Sequence, residues 1–169
     1  MKKKPAAFLD RDGVINHDYG YVYKYENFKL RKGVIKGLQL LGKKKYRIFI
    51  VTNQSGIARG FFTEKDLKSL HKKFKENLKK FKIKIDAIKF SPYHPRGKIK
   101  KYKKNSQTRK PGNQMITEIF KKWPTDRKKS FMIGDKKSDK LCAKKSGLKF
   151  EFATSNFLLQ VKKILAKNN

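Results

Sequence analysis

A chain of 169 residues is long enough to bury one hydrophobic core without staples, and it predicts a single unit spanning 1–169. The lone Cys142 excludes an internal disulfide and a cysteine-built zinc site, and no run approaches the roughly 20 apolar residues of a membrane span. Against 13 Asp and Glu stand 46 Lys and Arg, a net charge of +33 that attracts phosphates and other anions. The excess is mostly Lys and runs along the whole length, accompanied by many Asn, Ile, Phe and Tyr residues. That pattern fits solvated lysine faces better than a focused base-reading patch, so nucleic acid is not the favoured partner. Pro5 and the acids at Asp10 and Asp12 cut short any apolar run after Met1-Lys2-Lys3-Lys4, so no secretory signal is expected and a cytoplasmic protein is predicted.

The first predicted strand is Ala6–Leu9, followed at once by Asp10-Arg11-Asp12-Gly13-Val14-Ile15-Asn16. A short helix over 33–42 has apolar residues at helical spacing and Gly42 at its end. The β-branched and aromatic run 46–51 makes a second strand, stopping at Thr52-Asn53-Gln54-Ser55-Gly56. Thr63 then caps a helix whose buried stripe is Leu67, Leu70, Phe74, Leu78 and Phe81. A third strand over 85–90 precedes an irregular stretch from Ser91 to Lys110, and Pro111 starts a helix that ends before Pro124. Strands over 130–134 and 148–152 flank a helix over about 136–146, and a last helix spans 156–166. This alternation predicts a parallel sheet with helices on both faces and a ligand site beyond the carboxyl ends of the strands.

The polar clusters fall at those ends: Asp10 and Asp12 after the first strand, Thr52 and Asn53 after the second, Asp135 and Asp139 after the fourth. Alternate residues of an extended segment face one way, so Asp10 and Asp12 can share a site while Gly13 turns the backbone. Two adjacent carboxylates repel unless a cation, a proton or donors offset them, which points to a metal site or to divided acid–base labour. Asp-x-Asp-Gly alone also occurs in plain turns and calcium loops.

Together, Asp10-x-Asp12, Thr52, Lys110 and Gly134-Asp135-Lys136-Lys137-Ser138-Asp139 resemble the four motifs of the haloacid dehalogenase superfamily. The resemblance implies a Rossmann-like doubly wound parallel α/β sheet without a large cap domain. It implies Asp10 as the nucleophile that forms an aspartyl-phosphate, and Asp12 as the acid that protonates the leaving alcohol and later deprotonates water. Mg²⁺ would be held by Asp10, the Asp12 carbonyl and Asp135. Thr52 and Lys110 would grip phosphoryl oxygens, and Asp139 would orient Lys110 or Asp135 from behind.

Within the superfamily the chain resembles the D-glycero-D-manno-heptose 1,7-bisphosphate 7-phosphatases and the related histidinol-phosphate phosphatases. The segments that carry this are Asp18-Tyr19-Gly20-Tyr21-Val22, Thr52-Asn53-Gln54-Ser55-Gly56-Ile57-Ala58-Arg59-Gly60, Arg109-Lys110-Pro111 and Gly134-Asp135-Lys136. By this resemblance Asp18, Tyr19, Gly20, Tyr21, Thr52, Asn53, Gln54, Ser55, Arg109 and Lys110 meet a phosphorylated sugar, and Lys136 lies beside the metal. The family's zinc loop is altered: Ser91, Tyr93, Ser106 and Thr108 stand where its cysteine and histidine ligands would be. Zinc is therefore not expected, His94 is expected to be a loop hydrogen-bonder, and packing with hydrogen bonds is expected to hold the loop. The expected protein is a monomer that removes the C7 phosphate of the heptose. The alternatives are a histidinol-phosphate or broader sugar-phosphate phosphatase, a DNA 3′-phosphatase, and a basic nucleic-acid-binding module without catalysis.

Overall fold

Strands β1 (Ala6–Leu9) and β2 (Arg47–Asn53) run parallel, Ala6 beside Arg47 and Leu9 beside Ile50, and the sheet grows outward from this pair. β3 (Ala87–Ser91) joins β2, β4 (Phe131–Gly134) joins β1, and β5 (Lys149–Phe152) closes the far edge. The order is β3-β2-β1-β4-β5, with every pairing parallel. The computed structural model describes residues 2–168; residues 1 and 169, the ends of the predicted unit, lie outside the described residues.

The central strands β1, β2 and β4 are buried on both faces, alternate side chains entering opposite cores, whereas the edge strands β3 and β5 are partly open. Ala7, Leu9, Ile48, Ile50, Phe131 and Ile133 face one core, and Ala6, Phe8, Phe49, Val51 and Met132 face the other. The first core is covered by helices α1 (Val34–Lys43), α3 (Glu64–Lys79) and α6 (Phe157–Lys167). The second is covered by α4 (Gln114–Lys122) and α5 (Lys137–Lys145). This is the expected doubly wound α/β architecture. Chain order reverses across β1, with β2 and β3 to one side and β4 and β5 to the other. The crevice at the carboxyl end of β1 is therefore the topological switch point, where such sheets take ligands.

Several boundaries differ from the sequence reading. A single turn, α2 (Gly56–Arg59), follows β2 where only a loop was predicted. α4 begins at Gln114 because residues 109–112 form a turn closed by the Gly112 amide on the Arg109 carbonyl. α3 starts as predicted, its Thr63 hydroxyl accepting from the Asp66 amide while the Asp66 carboxylate accepts from the Thr63 amide. It stops at Lys79, however, so Phe81 falls outside the stripe and is 40% exposed. His71, absent from the predicted stripe, is buried in it. Among the described residues no helix is long and apolar enough to cross a membrane.

Candidate active site

Burial at the end of β1 sets the chemistry of Asp10, which is 5% exposed. One carboxylate oxygen accepts the Arg11 amide at 2.8 Å and meets Lys110 Nζ at 2.9 Å. Burial raises its pKa from 3.8 to about 7; Lys110 pulls the other way, and Asp139 and Asp12 add to the rise. Lys110, also buried, places Nζ 2.7 Å from Asp139 Oδ1 and 2.8 Å from the Val51 carbonyl. Burial disfavours its charge, yet Asp10 and Asp139 together hold its pKa above the ordinary lysine value. All three ammonium hydrogens thus have partners. Lys110 can give an incoming phosphoryl group its charge, but a direct bond must displace one of these contacts.

Asp139 is the third residue of α5, and its Oδ2 accepts the amides of Asp135 at 3.1 Å and Lys136 at 3.0 Å. Oδ1 faces Lys110 and Oδ2 caps the helix, so Asp139 ties Lys110 to the β4–α5 turn. This close approach needs Gly134, where an added Cβ would sit 2.3 Å from the Asp139 Cβ. Asp135 completes a trio with Asp10 and Asp139 whose carboxylate oxygens lie within 4.8 Å of one another. Its Oδ1 is buried with no hydrogen-bond partner, and burial is the main cause that raises its pKa. Gly13, at φ +82°, makes room for it; a Cβ there would meet Asp135 Oδ2 at 2.4 Å.

Asp12 faces a different set of groups. Oδ1 accepts from Arg11 Nη2 at 2.8 Å and Asn16 Nδ2 at 2.9 Å, and Oδ2 accepts from Gln54 Nε2 at 2.8 Å. The same Gln54 amide reaches the buried Thr52 hydroxyl at 2.9 Å, which brings Asp12, Thr52 and Gln54 together. Asn53, predicted to line the substrate, bonds the Lys110 backbone: Nδ2 donates to the Lys110 carbonyl and Oδ1 accepts the Lys110 amide, both at 3.0 Å. These two bonds clamp the backbone of Lys110 to the end of β2. Ser55 stands at the start of α2.

Around this floor lie the exposed Tyr19 and Tyr21, joined by Gly20, whose amide bonds Asp18 Oδ1 at 3.0 Å. Asp18 Oδ2 lies 3.5 Å from Lys136 Nζ, so this loop touches the β4–α5 turn. Asp135 and Asp18 raise the Lys136 pKa although burial opposes them. Half-buried Arg109 donates to the Tyr93 carbonyl at 3.4 Å; burial, then the nearby Arg59 charge, lowers its pKa. In the loop over 91–110, Thr108 Oγ1 lies 2.9 Å from Ser91 Oγ and 2.8 Å from Ser106 Oγ, while His94 Nδ1 accepts the Arg96 amide at 3.0 Å.

Residues at the site that escaped the sequence reading include Arg11 and His71. Arg11 is fully buried and binds Asp12, and His71 of α3 lies 3.2 Å from Arg11 Nη1. A signal existed for each: Arg11 directly follows a buried strand's carboxylate, and His71 sits at i+4 from Leu67 within the apolar stripe.

The model of the family described as polynucleotide kinase 3 phosphatase matches residues 7–162. A D-glycero-β-D-manno-heptose-1,7-bisphosphate 7-phosphatase of Rhodopseudomonas palustris is 40% identical over 164 residues, 96% of this chain and 91% of that protein. Its namesake in Escherichia coli strain K12 is 39% identical over 138 residues, 82% of this chain and 72% of that protein. Among solved structures, a D,D-heptose 1,7-bisphosphate phosphatase from B. bronchiseptica, complexed with magnesium and phosphate, superposes with TM-score 0.84 at 22% identity, covering 96% of this chain and 99% of that one. The chain belongs to this family of haloacid-dehalogenase-type phosphatases, the one that includes the heptose-bisphosphate 7-phosphatases.

Proposed function

We propose that this phosphatase removes the C7 phosphate of D-glycero-D-manno-heptose 1,7-bisphosphate through an aspartyl-phosphate on Asp10. The observation that carries the chemistry is the buried Asp10–Lys110 pair at the switch point, with Asp135 and Asp139 beside it and Asp12 joined to Thr52 through Gln54. The substrate rests on the names of relatives at 39–42% identity.

The donor set fits Mg²⁺: three carboxylates gather beside two lysines, Lys110 on Asp10 and Asp139 and the more exposed Lys136 near Asp135, and one buried Asp135 oxygen has no partner. Asp10 and Asp135, with the Asp12 carbonyl, would hold the ion, because the Asp139 oxygens are already taken by Lys110 and two amides. When bound, it would neutralise phosphoryl charge beside Asp10.

The protein's own residues supply the rest. A carboxylate oxygen of Asp10 attacks phosphorus, the bond from phosphorus to the C7 oxygen breaks, and the Asp12 proton passes to that oxygen. Water then attacks the phosphorus and gives a proton to Asp12, and the bond to Asp10 breaks to release phosphate. Lys110 and Thr52 stabilise the charge of both transition states.

The test compares kcat/KM for heptose 1,7-bisphosphate, histidinol phosphate, other sugar phosphates and a 3′-phosphorylated oligonucleotide. Preference for the heptose, abolished in Asp10→Asn, is the expected result. Preference for another substrate overturns the assignment. A polynucleotide 3′-phosphate is the second reading, favoured by the +33 charge and the description of the matching family model.

We further propose that the loop over 91–110 closes without zinc, since hydroxyls of Ser91, Ser106 and Thr108 bond one another at the ligand positions. Elemental analysis of purified protein is expected to find no stoichiometric zinc.

A further inference from the structure

Among the described residues Arg11 is the largest side chain with no solvent exposure, and the proposed reaction gives it no role. A guanidinium so placed is rare unless its donors are matched. Here the matches fall on three separate parts of the chain. Nε and Nη2 lie 3.2 and 2.8 Å from Asp12 Oδ1, and Nη2 also lies 3.0 Å from Asp12 Oδ2 and 2.6 Å from the Val22 carbonyl. Nη1 lies 3.2 Å from His71 Nε2. Burial, with the Arg11 charge beside it, lowers the His71 pKa to about 3, so the neutral ring can present an unprotonated Nε2 as acceptor. Arg11 therefore braces Asp12 against α3 and against the end of the segment 18–22.

The two oxygens of Asp12 are held unequally. Oδ1 takes Arg11 Nε, Arg11 Nη2 and Asn16 Nδ2, all from its own loop. Oδ2 takes Gln54 Nε2, an amide that also reaches Thr52 Oγ1 and can keep that bond when it releases Oδ2, and beyond that only the longer 3.0 Å approach of the same Arg11 Nη2 that lies 2.8 Å from Oδ1. We infer that Arg11, backed by His71, is a positioning residue that holds Asp12 chiefly through Oδ1 and so turns Oδ2, on the Thr52 side, to be the oxygen that hands its proton to the leaving group. The inference rests on the acid–base reading of Asp12.

Leaving-group dependence tests it. The C7 alkoxide of heptose 1,7-bisphosphate needs a proton to depart, whereas the nitrophenolate of p-nitrophenyl phosphate does not, and kcat/KM for each reports the step that forms the aspartyl-phosphate. Asp12→Asn is expected to lose about 10²–10⁴-fold on the sugar phosphate and far less on the aryl phosphate. Arg11→Gln is expected to reproduce that split, its loss on the sugar phosphate exceeding its loss on the aryl phosphate by about tenfold or more. Remaining aryl phosphate turnover shows that the variant is folded. His71→Leu keeps the volume and removes the acceptor, and it is expected to give the same split at smaller size should Arg11→Gln fail to fold. Arg11→Lys keeps the charge without the fork and should recover only part of the loss; full recovery counts against the aiming role. If Asp12→Asn shows the split while Arg11→Gln and His71→Leu lose both substrates equally, Arg11 is structural and the inference fails. If Asp12→Asn itself loses both equally, the acid–base reading is what fails.

Discussion

Charge matching around Asp10 governs what pH and metal do to this protein. In the metal-free state burial raises the Asp10 pKa to about 7 and raises that of Asp135 as well. A carboxyl whose folded pKa exceeds its unfolded value binds its proton more tightly in the native state. The metal-free protein should therefore lose stability as pH climbs from about 4 to about 7, the window set by Asp10. At the proposed Mg²⁺ site those same carboxyls must be ionised, so metal affinity is expected to run the other way. Apparent affinity, measured by calorimetry between pH 5.5 and 8, is expected to rise toward pH 7 by up to about tenfold per pH unit for each proton displaced and then level off. An affinity flat across this range would mean that the metal does not sit on Asp10.

The junction of β4 and α5 is where packing and chemistry cannot be separated. Gly134 ends the strand against the Asp139 side chain, and Asp139 in turn holds the first amides of α5 and Lys110. Gly134→Ala forces a Cβ within 2.3 Å of the Asp139 Cβ, so the first turn of α5 must back away. Overpacking of this kind costs about 1–3 kcal/mol, readable by urea unfolding. Because the same shift loosens Lys110, kcat should fall by about tenfold or more, each tenfold being about 1.4 kcal/mol of transition-state stabilisation. The elements meeting here were legible in the sequence because 131–134 is an apolar run that reads as a buried strand and the helix after it lies between two such strands. Less legible was how polar side chains divide their bonds. Asn53 occupies a motif position associated with substrate, yet its partner is the Lys110 backbone, 57 residues away, and no local pattern encodes a pairing that distant. The same holds for His71 and Arg11, 60 residues apart. The turn α2 was missed because four residues are too few to show a period.

Across the whole molecule the net charge of +33 competes with ion pairs, and magnitudes decide which dominates. Four pairs among the described residues are at least partly exposed: Lys68–Glu64, Lys89–Glu118, Lys136–Asp18 and Lys167–Glu151. Pairs of this kind contribute about 0–1 kcal/mol each, and salt weakens them. Against them, two like charges about 20 Å apart in water repel by about 0.2 kcal/mol, and the uncompensated charges form on the order of 500 such pairs. Unfolding spreads those charges, so repulsion is stronger in the native state than in the expanded chain. Salt shrinks the screening length from roughly 20–30 Å near 0.02 M to under about 5 Å near 0.5 M, which removes repulsion at molecular distances while the buried Asp10–Lys110–Asp139 group is barely screened. The urea midpoint should therefore be higher in about 0.5 M than in about 0.02 M sodium chloride, with the slope of the transition unchanged. A midpoint that fell instead would mean that the scattered ion pairs outweigh the self-repulsion of the lysine surface.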